Sequence, residues 1–188
     1  GLVPGADGGW TAGLGGSVFW DARKNLYYPA SGSYADLVAT LHSPAWGSDY
    51  TFARLKSDLR RYRAVGPGVL AGQVYAEGVV GDAPFQLLPL LGGSNRMRGY
   101  REGRFRDNVY WTAQVEYRFS LFWRFKGTAF ASVGDVGPHV GSPLVTDVEA
   151  AVGLGGRLRL TDTGVHGRVD LAYSSTGPEL YLSLGEAF

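Results

Sequence analysis

Hydrophobic and polar residues alternate with a period of two along most of the 188-residue chain. From Val109 to Phe119 every second residue is apolar or aromatic, and polar residues stand between them, among them Gln114, Glu116 and Arg118. Successive side chains of a β-strand point to opposite faces of a sheet. The alternation therefore predicts a strand with one apolar face and one polar face.

Comparable segments recur and predict nine strands, with eight to ten as the range. Most run for about ten to twelve residues, which suits a tilted membrane-spanning strand better than the five or six residues usual in soluble sheets. In the last segment the apolar row includes Leu180, Leu182, Leu184 and Phe188, and only Glu186 interrupts it. The predicted strands are 11–21, 33–41, 50–62, 68–80, 109–119, 123–133, 148–160, 165–174 and 180–188.

Short and long connections alternate between these segments. Turn-like connections are expected at 64–67, 120–121 and 161–164, and the longest loop is the 28-residue segment 81–108. An all-β, antiparallel up-and-down barrel has plain turns at one end and longer loops at the other. With Phe188 at the turn end, the 81–108 loop lies at the opposite, external end. A loop of this length in a compact domain is usually functional or disordered.

Alternation alone leaves the direction of the apolar face open. A soluble lipocalin-like barrel would bury the apolar rows, whereas a membrane barrel would turn them toward lipid. Long strands, aromatic residues near strand ends and a final aromatic strand residue favour the membrane barrel. No stretch of about 18 apolar residues is present, so membrane crossing by a helix is not expected.

Composition narrows the function classes. Glycine supplies 29 of the 188 residues, without the three-residue period of collagen, and cysteine is absent. No thiolate site or disulfide is therefore possible. The net charge of +1 gives no general reason to expect a nucleic-acid partner. His42, His139 and His166 lack ligand-like spacing, and no catalytic motif accompanies them, so we expect no metal, no cofactor and no enzyme activity.

The 81–108 loop carries the most specific sequence, LGGSNRMRGYREGRFRD at residues 91–107. It resembles the Arg-Gly-Phe/Tyr loop of the BamA/TamA-type superfamily of outer-membrane assembly and translocation barrels, also described as the bacterial surface antigen barrel domain. Four further segments resemble the family in order along nearly the whole chain. They are FWDAR with Asp21 and Arg23, followed by Pro29 and GSY at 32–34; GDAPF at 81–85; QVEYRF at 114–119; and FASVGDV at 130–136.

The resemblance implies that the loop folds back into the barrel lumen, where its arginine pairs with acidic residues of the inner wall. Carried over to this chain, the arginine is Arg98, followed by Gly99 and Tyr100, and the first acidic partner is Glu116. The second acidic position holds Ser132. A solvated basic surface facing lipopolysaccharide is the alternative for the loop arginines, Arg96 included, and it explains Arg101, Arg104 and Arg106 as well as any specific role does.

With nine strands, the first strand begins on one side of the membrane and the last strand ends on the other. Bacterial barrels usually have an even number of strands, so that both ends lie on the same side. The resemblance implies a sixteen-strand barrel that follows soluble domains in the chain. Residues 1–188 are therefore expected to form the C-terminal part of one barrel domain. Missing upstream strands, a partner chain, or residues 1–9 threaded through a small barrel could each complete the wall. A periplasmic domain or a second copy are therefore possible partners.

Two functions follow from the resemblance. The first is insertion or translocation of client proteins in the outer membrane of a Gram-negative bacterium, through a weak seam between the first and last strands. The second is a membrane anchor or export pore for a fused or partner domain, such as a patatin-type lipase. Outer-membrane lipid and lipopolysaccharide are the expected surroundings, and Phe188 is the expected assembly signal.

Overall fold

The computed structural model describes residues 3–139, 141 and 147–188. Its secondary structure consists of β-strands and two 3₁₀ turns of three residues each. The strands are β1 Gly13–Asp21, β2 Gly32–His42, β3 Phe52–Val65, β4 Gly68–Gly81, β5 Leu90–Leu91, β6 Phe105–Arg106, β7 Val109–Phe122, β8 Phe125–Gly137, β9 Glu149–Arg159, β10 His166–Ser174 and β11 Gly177–Leu184. No helix of the described residues is long and apolar enough to cross a membrane.

Nine of these strands form one antiparallel sheet in the order β1-β2-β3-β4-β7-β8-β9-β10-β11. Every neighbour in the sheet is also the next long strand along the chain, which is the up-and-down connectivity that the sequence predicts. No ladder joins β1 to β11 among the described residues, so the sheet is open. The short strands β5 and β6 pair with each other inside the 81–108 loop.

The sheet is curved, because residues from distant strands meet on one face. Ala187 and Phe188, which follow β11, pack against Tyr62 of β3 and Ala71 of β4. At the same end, Asn25 in the β1–β2 connection donates to the carbonyl of Thr163 in the β9–β10 turn. These contacts define a concave face and an outer face.

The outer face carries the apolar rows. Leu182 and Leu184 of β11 are 74% and 71% exposed, and Val152 and Leu154 of β9 and Leu171 of β10 are exposed in the same way. The concave face instead buries charged side chains, among them Arg118, Arg157 and Asp170. This arrangement excludes the lipocalin-like alternative and is that of a barrel whose outer face contacts lipid.

Two local predictions are wrong. β7 continues past Phe119 to Phe122 through an irregularity in its register with β8, so the turn lies at Trp123 and Arg124 instead of Ser120 and Leu121. Phe188 does not continue the outer apolar row, because β11 ends at Leu184 and Gly185 has a φ of 80°. The residues after Gly185 therefore turn onto the concave face. Part of the connection between the predicted strands 123–133 and 148–160 lies outside the described residues.

Candidate functional site

The long loop between β4 and β7 forms a compact hairpin at its tip. The Gly93 amide donates to the Tyr100 carbonyl at 2.9 Å, and the Tyr100 amide donates to the Met97 carbonyl at 3.2 Å. Met97, Tyr100 and Leu91 are fully buried with Tyr75 and Tyr110 of the concave face. The apolar residues of the tip thus anchor the loop against the sheet, and the tip presents Arg98 to the strands.

Arg98 is fully buried and lies between two carboxylates from different strands. Its Nη2 donates to Oε2 of Glu116 on β7 at 2.6 Å, and its Nη1 donates to Oδ2 of Asp170 on β10 at 2.7 Å. Its guanidinium carbon lies 3.6 Å from the centre of the Phe130 ring on β8. The planar fork of arginine can donate in two directions at once while its face stacks on a ring. Arg98 therefore connects the loop to β7, β8 and β10.

The two carboxylates are shared with further buried arginines. Oε1 of Glu116 accepts from Nε of Arg118 at 2.7 Å, and Oδ1 of Asp170 accepts from Nη1 of Arg157 at 2.5 Å. Arg157 Nε also donates to Glu186 at 2.9 Å. Buried charges are tolerated where they are paired and hydrogen-bonded, and removal of one partner leaves the other charge buried without a counter-charge. The loop is thus held by a continuous ionic network that crosses the concave face.

Ser132 does not take part in this network. Its side chain is buried on β8, and its Oγ has no hydrogen-bond partner among the described residues. The second carboxylate beside Arg98 comes instead from Asp170, two strands away in the sheet. The sequence predicts no role for Asp170. Its alternation with Val169 and Leu171 was the available signal, but a separation of 72 residues from Arg98 gave no motif to link the two.

Small residues of β9 make room for this arrangement. A Cβ at Gly153 would collide with the Phe130 ring, and a Cβ at Gly155 would collide with the Asp170 carboxylate. Both positions face the loop in the strand register. Glycine at these two positions therefore leaves space for the Phe130 ring and the Asp170 carboxylate to contact Arg98.

Gly99 and Tyr100 fix the backbone that follows Arg98. Gly99 has a φ of 117°, and a Cβ there would lie 2.9 Å from the Ala151 Cβ. The Tyr181 hydroxyl accepts from the Gly99 amide at 3.0 Å and donates to the Tyr100 carbonyl at 2.9 Å. The Tyr100 hydroxyl donates to Glu149 at 2.5 Å. The loop therefore contacts β9, β10 and β11 as well as the strands around Arg98.

The remaining loop arginines have separate surroundings. Arg96 stacks 3.7 Å from the centre of the Tyr75 ring, and Nη1 of Arg106 donates to the Phe85 carbonyl at 2.7 Å. Arg101 pairs with Glu179 at 2.9 Å but its side chain is 83% exposed. An exposed pair of this kind contributes at most about 1 kcal/mol. None of these three arginines joins Arg98 in the buried network.

The other end of the concave face is filled by the connection between β1 and β2. Asp21 accepts from Nε and Nη2 of Arg23 at 2.9 and 2.6 Å, which fixes the start of this connection. Tyr28 then reaches inward, with Lys126 Nζ 3.2 Å above its ring centre and the His166 ring at 4.9 Å. Burial raises the pKa of Tyr28 to about 12, so the phenol stays neutral. This connection forms a strap across the turn end of the sheet.

Phe188 and Glu186 lie beside this strap. The Phe188 carbonyl accepts from Nη2 of Arg118 at 3.0 Å, and Phe188 itself is buried. Glu186, which interrupts the apolar row in the sequence, faces Arg157 and Arg118. Its charge is therefore part of the buried network and does not face lipid. The role of Phe188 as an assembly signal stays a prediction.

No group of three or more histidine, aspartate or glutamate side chains suited to a metal ion occurs among residues 3–139, 141 and 147–188. The chemistry of this region is ionic pairing and packing.

Comparison with known proteins agrees with this geometry. The family model described as the Omp85 superfamily domain matches residues 5–187. The fold is similar to the crystal structure of BamA from Haemophilus ducreyi lacking POTRA domains 1-3, with a TM-score of 0.68 and 17% sequence identity. That similarity covers 89% of this chain and 40% of the BamA chain, so the chain spans well under half of that protein's length. No curated protein sequence matches the chain.

Proposed function

Because the chain belongs to the Omp85 superfamily, we propose that it forms part of an outer-membrane barrel wall that assists insertion or export of proteins at the outer membrane of a Gram-negative bacterium. The observation that supports this function most is the loop held by Arg98 between Glu116 and Asp170. A docked loop inside a curved sheet gives the wall a rigid side, against which the open edges can move.

The open edges supply the second part of the proposal. β1 and β11 each pair with one neighbour, so each carries a row of unpaired backbone groups. An unpaired strand edge is a template for pairing with another strand, and in lipid each unsatisfied group costs several kcal/mol. We infer that further strands, from the same polypeptide or a partner, complete the wall. A client strand would enter by exchanging with one of these pairings.

Depletion of the protein in its native cell tests the function. We expect the folded, SDS-resistant bands of other outer-membrane barrels to decrease in unheated gel samples, or an exported substrate to accumulate in the periplasm. Re-expression of the wild-type chain should reverse the defect, and re-expression of R98A should not, because the loop loses both carboxylate contacts.

Normal assembly and normal export after depletion would contradict the proposal. If instead one enzymatic activity alone disappears from the cell surface, the protein is an anchor or export pore for a fused or partner domain, such as a patatin-type lipase. Lipase release assayed in the same depleted cells distinguishes these outcomes.

A further inference from the structure

Two arginines interrupt the apolar outer face of the sheet. Arg61 and Arg63 have the same strand parity as the exposed Leu55 and Leu59 of β3, opposite to that of the buried Tyr62. Among the described residues of the nine strands, these are the only basic side chains with outward parity. Their position on a lipid-facing wall requires a partner or access to water, since charge is costly in hydrocarbon.

Neither arginine has a partner among the residues that the structure describes. The arginines of opposite parity on the same strand, Arg54 and Arg60, form ion pairs with Glu77 and Asp58 at 2.5 and 2.6 Å. Arg61 and Arg63 form no ion pair, hydrogen bond or ring contact with any described residue. Their guanidinium groups are therefore available to an external anion.

Arg61 lies beside an apolar groove in the outer wall, which we call the arginine groove. In the strand register Arg61 is opposite Gly72, and Gly72 is opposite Val115. The groove has a volume of about 550 Å³ and is lined mainly by apolar surface, with Arg61 as its outward-facing charged residue. Its lining includes Leu59, Arg61, Gly72, Val74, Ala113 and Val115. A cation beside an elongated apolar depression is complementary to an amphiphile with an anionic head.

The depth of the arginines fits a lipid headgroup. Arg63 and Arg61 lie two and four residues before the end of β3 at Val65, about 7 and 13 Å along the strand at ~3.3 Å per residue. Tyr117 shares the register row of Arg63 through Leu70, and its hydroxyl donates to the Val65 carbonyl. Tyrosines mark the membrane interface, and long cationic side chains reach toward it from apolar surroundings.

We propose that the arginine groove binds one glycerophospholipid from the leaflet at the turn end of the sheet. Arg61 and Arg63 hold the phosphate through their planar forks, which suit phosphate geometry, and an acyl chain occupies the groove. The proposal rests on the proposed function only in that the outer face lies in a membrane. Lipid binding is measured on purified protein without a client, so the two proposals can fail separately.

Native mass spectrometry of the membrane-extracted, delipidated protein tests this site with dioleoyl phosphatidylglycerol as the probe. We expect one tightly retained lipid on the wild type and an apparent affinity at least tenfold weaker for R61Q/R63Q. The matched control is K24Q/R124Q, which removes the same charge at the same end of the sheet but outside the groove. It should remain within twofold of the wild type.

A113F provides a second variant that keeps both arginines and fills the groove, and it should also lose the tight lipid. Heat-modifiable migration on gels establishes that each variant is folded. Equal binding by the wild type and folded R61Q/R63Q would overturn the proposal. So would displacement of the lipid by inorganic phosphate, which requires no acyl chain, or stronger retention of lipid A, which belongs to the opposite leaflet.

Discussion

At the scale of single residues, Arg98 shows how one side chain fixes a long loop. Its guanidinium donates to Glu116 and Asp170 and stacks on Phe130, while being fully buried. Each carboxylate also accepts from a second arginine, so neither depends on Arg98 alone for its charge balance. Loss of Glu116 or Asp170 therefore removes one carboxylate partner from two buried arginines at once.

Asp170→Asn tests the part of the network that the sequence did not assign. The substitution leaves Arg98 and Arg157 facing a neutral group, and breaking one partner of a buried pair costs about 3 kcal/mol. We expect the Gly99 amide, which donates to Tyr181, to exchange with solvent deuterium roughly 100-fold faster. Hydrogen–deuterium exchange with mass spectrometry of the loop peptide measures this.

Ser132→Ala is the matched control, because the Ser132 hydroxyl has no hydrogen-bond partner in the described part of the chain. Its loop should exchange at the wild-type rate, and equal acceleration in both variants would show that Asp170 has no special role. Adding S132D to D170N returns a carboxylate to the β8 position that resembles the family's second acid. We expect the Gly99 amide of this double variant to exchange at least tenfold more slowly than that of D170N.

The residue scale also shows the limit of sequence reasoning. Alternation placed Glu116 on the polar face, and the family resemblance paired it with Arg98, which the structure brings within 2.6 Å. The same reasoning assigned Ser132 by position in a motif. A carboxylate supplied from another strand leaves no trace in a local motif, since its link to Arg98 exists only after the sheet curves.

At the scale of elements, the strap between β1 and β2 complements the loop at the opposite end of the concave face. The Asn25 side-chain oxygen accepts from the Tyr27 and Tyr28 amides, which turns the Tyr28 ring inward. That ring is held between Lys126 and His166, from β8 and β10. The Tyr28 ring therefore connects the strap to β8 and β10.

Tyr28→Ala should release the strap, with a local cost of about 2 kcal/mol from the lost cation–π contact and packing. We expect a higher single-channel conductance for the purified protein in planar bilayers, because the turn end of the concave face is no longer covered. Y28F should conduct as the wild type, since it keeps the ring. Tyr27→Ala is the control, because Tyr27 is an exposed neighbour in the same strap. A conductance increase in Y27A equal to that in Y28A would contradict this role.

Element positions were largely predictable, but their ends were not. The nine long strands correspond to the nine alternating segments, because alternation directly reflects the two faces of a sheet. The β7–β8 turn was misplaced, since Trp123 adopts a φ of 48° that a tryptophan seldom takes. The inward turn at Gly185 was also not predicted, because a glycine has no side chain to indicate which face of the sheet the following residues approach.

At the scale of the whole molecule, the face that carries the apolar residues distinguishes a membrane barrel from a soluble one. Alternation alone leaves open which way the apolar face points. The ionic network around Arg98 indicates it, because a loop with a buried arginine requires carboxylates on the concave face. Apolar residues are then left for the outer face. The orientation of the two faces thus agrees with one charged residue of the loop, Arg98, and with its carboxylate partners on β7 and β10.

The number of strands sets how this wall can close. In an antiparallel sheet of nine strands the first and last strands run parallel to each other. Direct closure of β1 on β11 would therefore require a parallel pair in an otherwise antiparallel wall, against the even number usual in bacterial barrels. We expect additional strands between the two edges, as proposed above.

Paired cysteines at the edges test this expectation, and the chain provides a clean background because it has no cysteine of its own. V18C on β1 and L182C on β11 both lie in the outward apolar rows. Added strands would hold them further apart than the ~7 Å Cα separation that a disulfide allows, so mild oxidation of the membrane-embedded protein should give no intrachain disulfide on non-reducing gels. V18C/L37C, across the existing β1–β2 ladder where Val18 faces Leu37, is the positive control and should cross-link. Efficient intrachain cross-linking of V18C/L182C would instead mean that the nine strands close on themselves, and the exchange of client strands would then have to begin by opening that parallel pair.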